Sequence, residues 1–84
     1  MPYRILFTKE AIKDIEKQSP KIIKKLKEII KNQISIEPYS GKKLVGDLKG
    51  FYSIRLNYRD RIVYSIDEKS KVIYIHKTRT HYHA

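Results

Sequence analysis

The sequence predicts an α+β domain in the order β-α-α-β-β-β, with a helical hairpin laid over one face of a mainly antiparallel sheet. Three observations carry this. Apolar residues recur at helical spacing through residues 9–34. They then alternate with a period of two in the runs "FYSIRL", "RIVYSI" and "KVIYIHK". The polar connectors "NYRD" and "DEKS" join those runs as hairpins.

Tyr3–Phe7, "YRILF", reads as the first strand. Thr8 offers a helix N-cap, and Glu10 puts an anion in the first turn, where the helix dipole favours it. In "KEAIKDIEKQ", Ala11, Ile12 and Ile15 gather on one side, and Lys9, Lys13 and Lys17 on the other. Ser19-Pro20 marks the next helix start, a capping serine followed by proline at the first helical position. "KIIKKLKEIIKNQI" then carries Ile22, Ile23, Leu26, Ile29, Ile30 and Ile34 as an amphipathic stripe over residues 21–34. The outer surface of the hairpin is left to Lys13, Lys17, Lys21, Lys24, Lys25, Lys27 and Lys31. "EPYSGKKLVGDLKG" is broken by Pro38, Gly41, Gly46 and Gly50, and reads as a loop with at most a short extended piece at Leu44–Val45.

The 84 residues are read as one domain, 1–84. A chain of this size buries roughly 60–65% of its unfolded surface, enough for one thin core and no deep cavity. Nineteen Lys and Arg against nine Asp and Glu give a net charge of +10. Such a surface attracts polyanions, which favours nucleic acid or a ribonucleoprotein as partner over a merely solvated lysine coat. The absence of cysteine excludes a disulfide framework and a thiolate zinc site. No apolar run approaches the ~20 residues of a membrane span. "ILF" is too short for a signal-peptide core, and Glu10 and Asp14 follow it, so the expected location is the cytoplasm.

Register draws the basic residues together. Tyr52, Ile54 and Leu56 point one way in "FYSIRL", and Phe51, Ser53 and Arg55 the other. In "RIVYSI", Ile62, Tyr64 and Ile66 oppose Arg61, Val63 and Ser65. Joining the apolar sets pairs Ile54 with Ile62 and Tyr52 with Tyr64, because a slip of one residue would send one set into water. Arg55 then falls beside Arg61, on the face away from the helices. Ile73 and Ile75 join the core, and Val72, Tyr74 and His76 join the arginine face. Like charges opposite one another are mildly destabilising, so this face, with Lys42, Lys43 and Arg79 nearby, reads as an anion site. Arginine's planar fork suits a phosphate. The competing reading pairs the arginines with Asp47, Asp60 or Glu68. Tyr52, Tyr58, Tyr64 and Tyr74 are read as core or rim packing.

"KKLVGDLKGFYSIRLNYRDRIVYSI", followed by a further strand and a terminal "THY", resembles the RelE/ParE superfamily of toxins of toxin–antitoxin modules, and within it the Txe/YoeB-like branch. The match spans nearly the whole chain. The resemblance implies a helical hairpin on a curved, largely antiparallel sheet. It also implies a toxin that cuts messenger RNA in the ribosomal decoding site, without metal or cofactor, through attack of the ribose 2′-OH on the adjacent phosphorus. Its partners would be a cognate antitoxin, the ribosome and mRNA. By this resemblance Arg61 is the phosphate-stabilising arginine, His81 and Tyr82 take part in proton transfer, and Arg55 is a second basic residue of the catalytic set. Lys42, Lys43, His76, Arg79, Lys13 and Lys17 are expected to contact RNA.

The family pattern has a glutamate just before the "LVGDL"-type segment, proposed as general base. Here the neighbourhood reads Gly41-Lys42-Lys43-Leu44, which leaves acid–base work to His81, to Lys42 or Lys43, or to a ribosomal group. Histidine serves either role near its ordinary pKa of ~6.5. His81-x-His83 lacks a third ligand, so no metal is assigned, and His83 reads as a loose terminal residue. The alternatives are a non-enzymatic gyrase inhibitor of the ParE type, and an inactive basic RNA-binding module.

Overall fold

The computed structural model of the chain describes residues 3–79, so His81, Tyr82 and His83 lie outside the described residues. The elements are β1 (Arg4–Phe7), α1 (Lys9–Glu16), α2 (Pro20–Ile29), β2 (Lys42–Lys43), β3 (Phe51–Arg55), β4 (Arg61–Asp67) and β5 (Val72–Lys77). The five strands form one sheet in the order β1-β5-β4-β3-β2. β1 lies parallel to β5 at one edge, and the other pairings are antiparallel. The hairpin region contains the expected helices, and their caps are the expected residues. The Thr8 side chain accepts a hydrogen bond from Ala11 N at 3.2 Å, and Ser19 Oγ accepts one from Ile22 N at 3.3 Å.

Three expectations are corrected. The second helix is not α-helical to Ile34, because Ile30–Ile34 form a π-helical turn. Ser35 explains it: its hydroxyl donates to Lys31 O at 2.8 Å, and its own N–H reaches back one residue further, to Ile30 O, at 2.9 Å. The extended piece of the loop is Lys42–Lys43 rather than Leu44–Val45, which adds a strand to the expected order. An edge strand of exposed lysines needs no apolar pattern, and its register comes from β3. Ile12, expected on the buried side of α1, is 48% exposed, since α1 packs through Ala11 instead.

Ala11, Leu26, Ile30 and Ile34 from the helical layer pack against Leu56, Ile62, Tyr64, Ile73 and Ile75. Burying a side chain of this size contributes roughly 1.5–3 kcal/mol before entropy is counted. Of the four tyrosines read as packing, Tyr64 is fully buried and stacks on half-buried Tyr52, with ring centroids 5.8 Å apart. Tyr58 departs from the reading, standing 88% exposed in the β3–β4 turn. That turn is closed by Asn57 instead, whose Oδ1 accepts from Arg59 N and Asp60 N at 2.8 and 2.7 Å.

Tyr64 also fixes the approach to β2. Its hydroxyl donates to Pro38 O at 2.6 Å, and burial pushes its pKa up to about 12. A Cβ at Gly41 would overlap that hydroxyl, so glycine lets the chain cross here into Lys42. Among the described residues no helix is long and apolar enough to cross a membrane.

Candidate active site on the arginine face

The β3–β4 register is the one that burial of the alternating apolar sets requires: Tyr52 faces Tyr64, Ile54 faces Ile62, and Arg55 faces Arg61. Arg55 is exposed and Arg61 half-buried. Arg61 Nε donates to Ser53 Oγ at 3.2 Å. Ser53 is only 1% exposed, so one edge of the guanidinium is held by a side chain that has no room to move. The sheet thus directs a planar guanidinium, a group whose fork suits a phosphate.

The two lysines of β2 separate. Lys42 stands opposite Ser53 and Lys43 opposite Tyr52. Directly opposed residues share a face, so Lys42 belongs with Arg61 and Lys43 with the helix-covered side. Of the two lysines standing where the family pattern has its glutamate, only Lys42 is on the arginine face.

His76 reaches this face through a bulge. Val63 pairs with Lys77 and Tyr64 with Ile75, which leaves His76 as the extra residue of β5. Its Nε2 shares a 2.8 Å hydrogen bond with Ser65 Oγ, and its ring lies 4.8 Å from that of Phe51. Burial lowers its pKa, partly opposed by Glu10, which favours the uncharged imidazole. Of the carboxylates weighed as arginine partners, Glu68 is engaged elsewhere, by the Tyr3 and Tyr39 hydroxyls at 2.8 and 2.6 Å and by the Lys71 ammonium.

The chain leaves β5 toward α1. Asp14 Oδ2 accepts from Thr78 N at 3.1 Å and Arg79 N at 3.3 Å, and Gln18 Nε2 donates to Thr78 O at 3.0 Å. The segment that leads into His81 and Tyr82 is thus anchored up to Arg79. Lys13 on α1 and Lys17 at its C-cap are exposed, in the helical layer rather than on the arginine face. Among the described residues no three His, Cys, Asp or Glu side chains converge as metal ligands. Ser53 and Ser65 received no role from the sequence. Their only signal is their alternation with Arg55 and Arg61 on one face.

Residues 7–82 match the family profile of the YoeB-like toxin of bacterial type II toxin-antitoxin system. No individually curated protein matches significantly. Among solved structures, the RelBE2 toxin–antitoxin complex from Mycobacterium tuberculosis superposes with a TM-score of 0.85 at 31% identity, over 94% of this chain and 98% of that one. The heterotetrameric YoeB–YefM toxin–antitoxin complex from Staphylococcus aureus gives 0.79 at 29% identity, over 98% and 100%. The YoeB/ParE toxin from Agrobacterium tumefaciens shares the fold, with a TM-score of 0.84 at 23% identity over 94% and 99%. With the family profile covering both helices, β2 to β5, the arginine pair and the anchored exit from β5, the chain belongs to the YoeB-like toxins of bacterial type II toxin–antitoxin systems.

Proposed function

We propose that this chain is a ribosome-dependent endoribonuclease of the cytoplasm that stops translation by cutting mRNA in the decoding site. The observation that supports it most is the cross-strand pair Arg55–Arg61, with the Arg61 guanidinium held by Ser53. Two arginines kept in register supply planar, multiply donating cations of the kind a phosphate takes.

In the proposed reaction the ribose 2′-OH attacks the adjacent phosphorus, and the 5′ oxygen leaves with a proton. The products are a cyclic phosphate and a 5′-hydroxyl. Arg61 stabilises the charge that builds on the phosphorane oxygens, the kind of preorganised contribution that dominates many active sites. Arg55 steers the neighbouring phosphate. His81 and Tyr82 exchange the protons; the Asp14 carboxylate fixes the backbone that precedes them, at Thr78 and Arg79. Lys42 stands where the family pattern has its glutamate and lies nearest Ser53 in register. It either takes the 2′-OH proton or orients the scissile phosphate. His76 and Arg79 contact the RNA strand, while Lys43, Lys13 and Lys17 meet RNA away from the arginine face.

The cognate antitoxin is proposed as an acidic segment that folds across the basic face. The solved relatives in complex with antitoxins, RelBE2 and YoeB–YefM, support this partner.

Primer extension on transcripts after a pulse of expression tests the reading. The expected result is in-frame cuts that require translation and vanish in Arg61→Ala. Growth arrest without such cuts, or cuts that persist in Arg61→Ala, would overturn it.

A further inference from the structure

Three aromatic rings form a row on the arginine face. Phe51 of β3 stands opposite Ser65 of β4, and Ser65 stands opposite Tyr74 of β5. Serine is small, so the rings on either side close over it. The His76 ring lies 4.8 Å from Phe51, tilted by 37°, and 6.4 Å from Tyr74, tilted by 43°. The Ser65 hydroxyl holds the imidazole in that position. A larger residue at 65 would stand between the rings.

The row faces away from the helical layer. Tyr74 is 36% exposed, and Leu6, its register partner on β1, extends the apolar surface at 40%. Arg55 and Arg61 rim it on one side and Arg4, level with Val72 at the β1 edge, on the other, while the nearby Glu10 carboxylate pairs with Lys77 at 3.4 Å. Asp67 occupies a position of the same register, but its carboxylate accepts from Ser70 N inside the β4–β5 turn. An uncharged aromatic surface inside a cationic rim has the composition of a single-strand RNA platform, where bases stack and phosphates pair with the rim. A protein core would instead have covered these rings, as it covers Tyr64.

We infer that Phe51, His76 and Tyr74 form a stacking shelf for an unpaired nucleobase of single-stranded RNA, beside the phosphate assigned to Arg61. The inference rests on the nuclease reading above and names what that site does with the base next to the cut. Ser53, which holds Arg61, and Phe51 are two residues apart on one face of β3, about 7 Å, a step one nucleotide spans. His76 presents its ring to the base, and the hydrogen bond to Ser65 sets the orientation of that ring.

The test uses the full chain and a short single-stranded RNA with a 2′-O-methyl group on every ribose, which blocks cleavage, and one 2-aminopurine. Stacking quenches the 2-aminopurine emission. The expected result is quenching by the wild type, about tenfold weaker binding by His76→Ala, and recovery in His76→Phe, which keeps a ring. An abasic residue in place of 2-aminopurine should weaken wild-type binding equally and remove the difference between wild type and His76→Ala. Lack of quenching by the wild type overturns the shelf, and so does an unchanged affinity in His76→Ala and Tyr74→Ala. These outcomes are read without cleavage, so they fail separately from the endoribonuclease reading, which stands or falls on the Arg61→Ala transcript map.

Discussion

The two faces of β3, β4 and β5 are built from alternate residues of the same strands and follow opposite rules. On the helix-covered face Ile62, Tyr64, Ile73 and Ile75 are fully buried, and the one hydroxyl among them has its acceptor in Pro38. Every local choice there agrees with the fold. On the arginine face two cations stand opposite each other, a histidine occupies a bulge, and aromatic rings remain partly in water. Those choices work against stability, and such conflicts mark functional surface. The first face holds the sheet together; the second spends part of that stability on holding an anion site in shape.

The largest effect should come from crossing the rule on the covered face. Tyr64→Ala removes a buried ring and is expected to cost about 3–5 kcal/mol, read by urea unfolding. Loss of under 1 kcal/mol would mean the face is not the core.

Arg61→Ala should do the reverse, lowering cleavage about 10²–10³-fold with little change in unfolding midpoint. Single-turnover cleavage on programmed ribosomes, with circular dichroism of the same sample, separates the two effects. A parallel loss of structure would erase the distinction between the faces.

His81→Gln is next, at roughly 10²-fold in the same assay, with full folding. A fully active variant would remove the tail from the site.

Gly41→Ala acts on the junction between the faces. A methyl group there meets the Tyr64 hydroxyl, and the expected cost is about 1–3 kcal/mol, together with reduced activity because Lys42 follows directly. An unfolding curve identical to wild type would show that the chain can shift without consequence.

The smallest effect belongs to a site on neither face. Lys71, then the Tyr39 and Tyr3 hydroxyls, hold the Glu68 carboxyl down to about 2. A folded pKa below the ordinary 4.5 contributes stability above that value, and the contribution is lost as pH falls through about 2. Glu68→Gln should therefore flatten the acid limb of stability in that window. The change should be slight, because the cluster is exposed and screened. Superimposable acid limbs for variant and wild type would show that the cluster adds nothing.

Much of this was legible in the chain itself. The caps at Thr8 and Ser19, the stripe from Ile22 to Ile34, and the pairing of Arg55 with Arg61 all follow from rules that act over a few residues. Alternation, capping and burial leave one register in which both apolar sets are covered, and that register carries the arginines with it. Ser35, Lys42–Lys43 and His76 show where such rules end. The π-helical turn depends on a serine hydroxyl taking a carbonyl before the backbone does. The β2 strand exists because β3 offers an edge, although its lysines carry no strand pattern. The sequence by itself determined the two helices and the four longer strands, the cross-strand arginines and the basic character of the surface, since each is encoded in periodicity and charge. Tertiary structure alone decided that β1 lies parallel to β5, that Lys42 and not Lys43 joins Arg61, and that Ser65 brings His76 onto Phe51. Those outcomes depend on which distant strands become neighbours, and a pattern read along one chain holds no term for distance across the sheet.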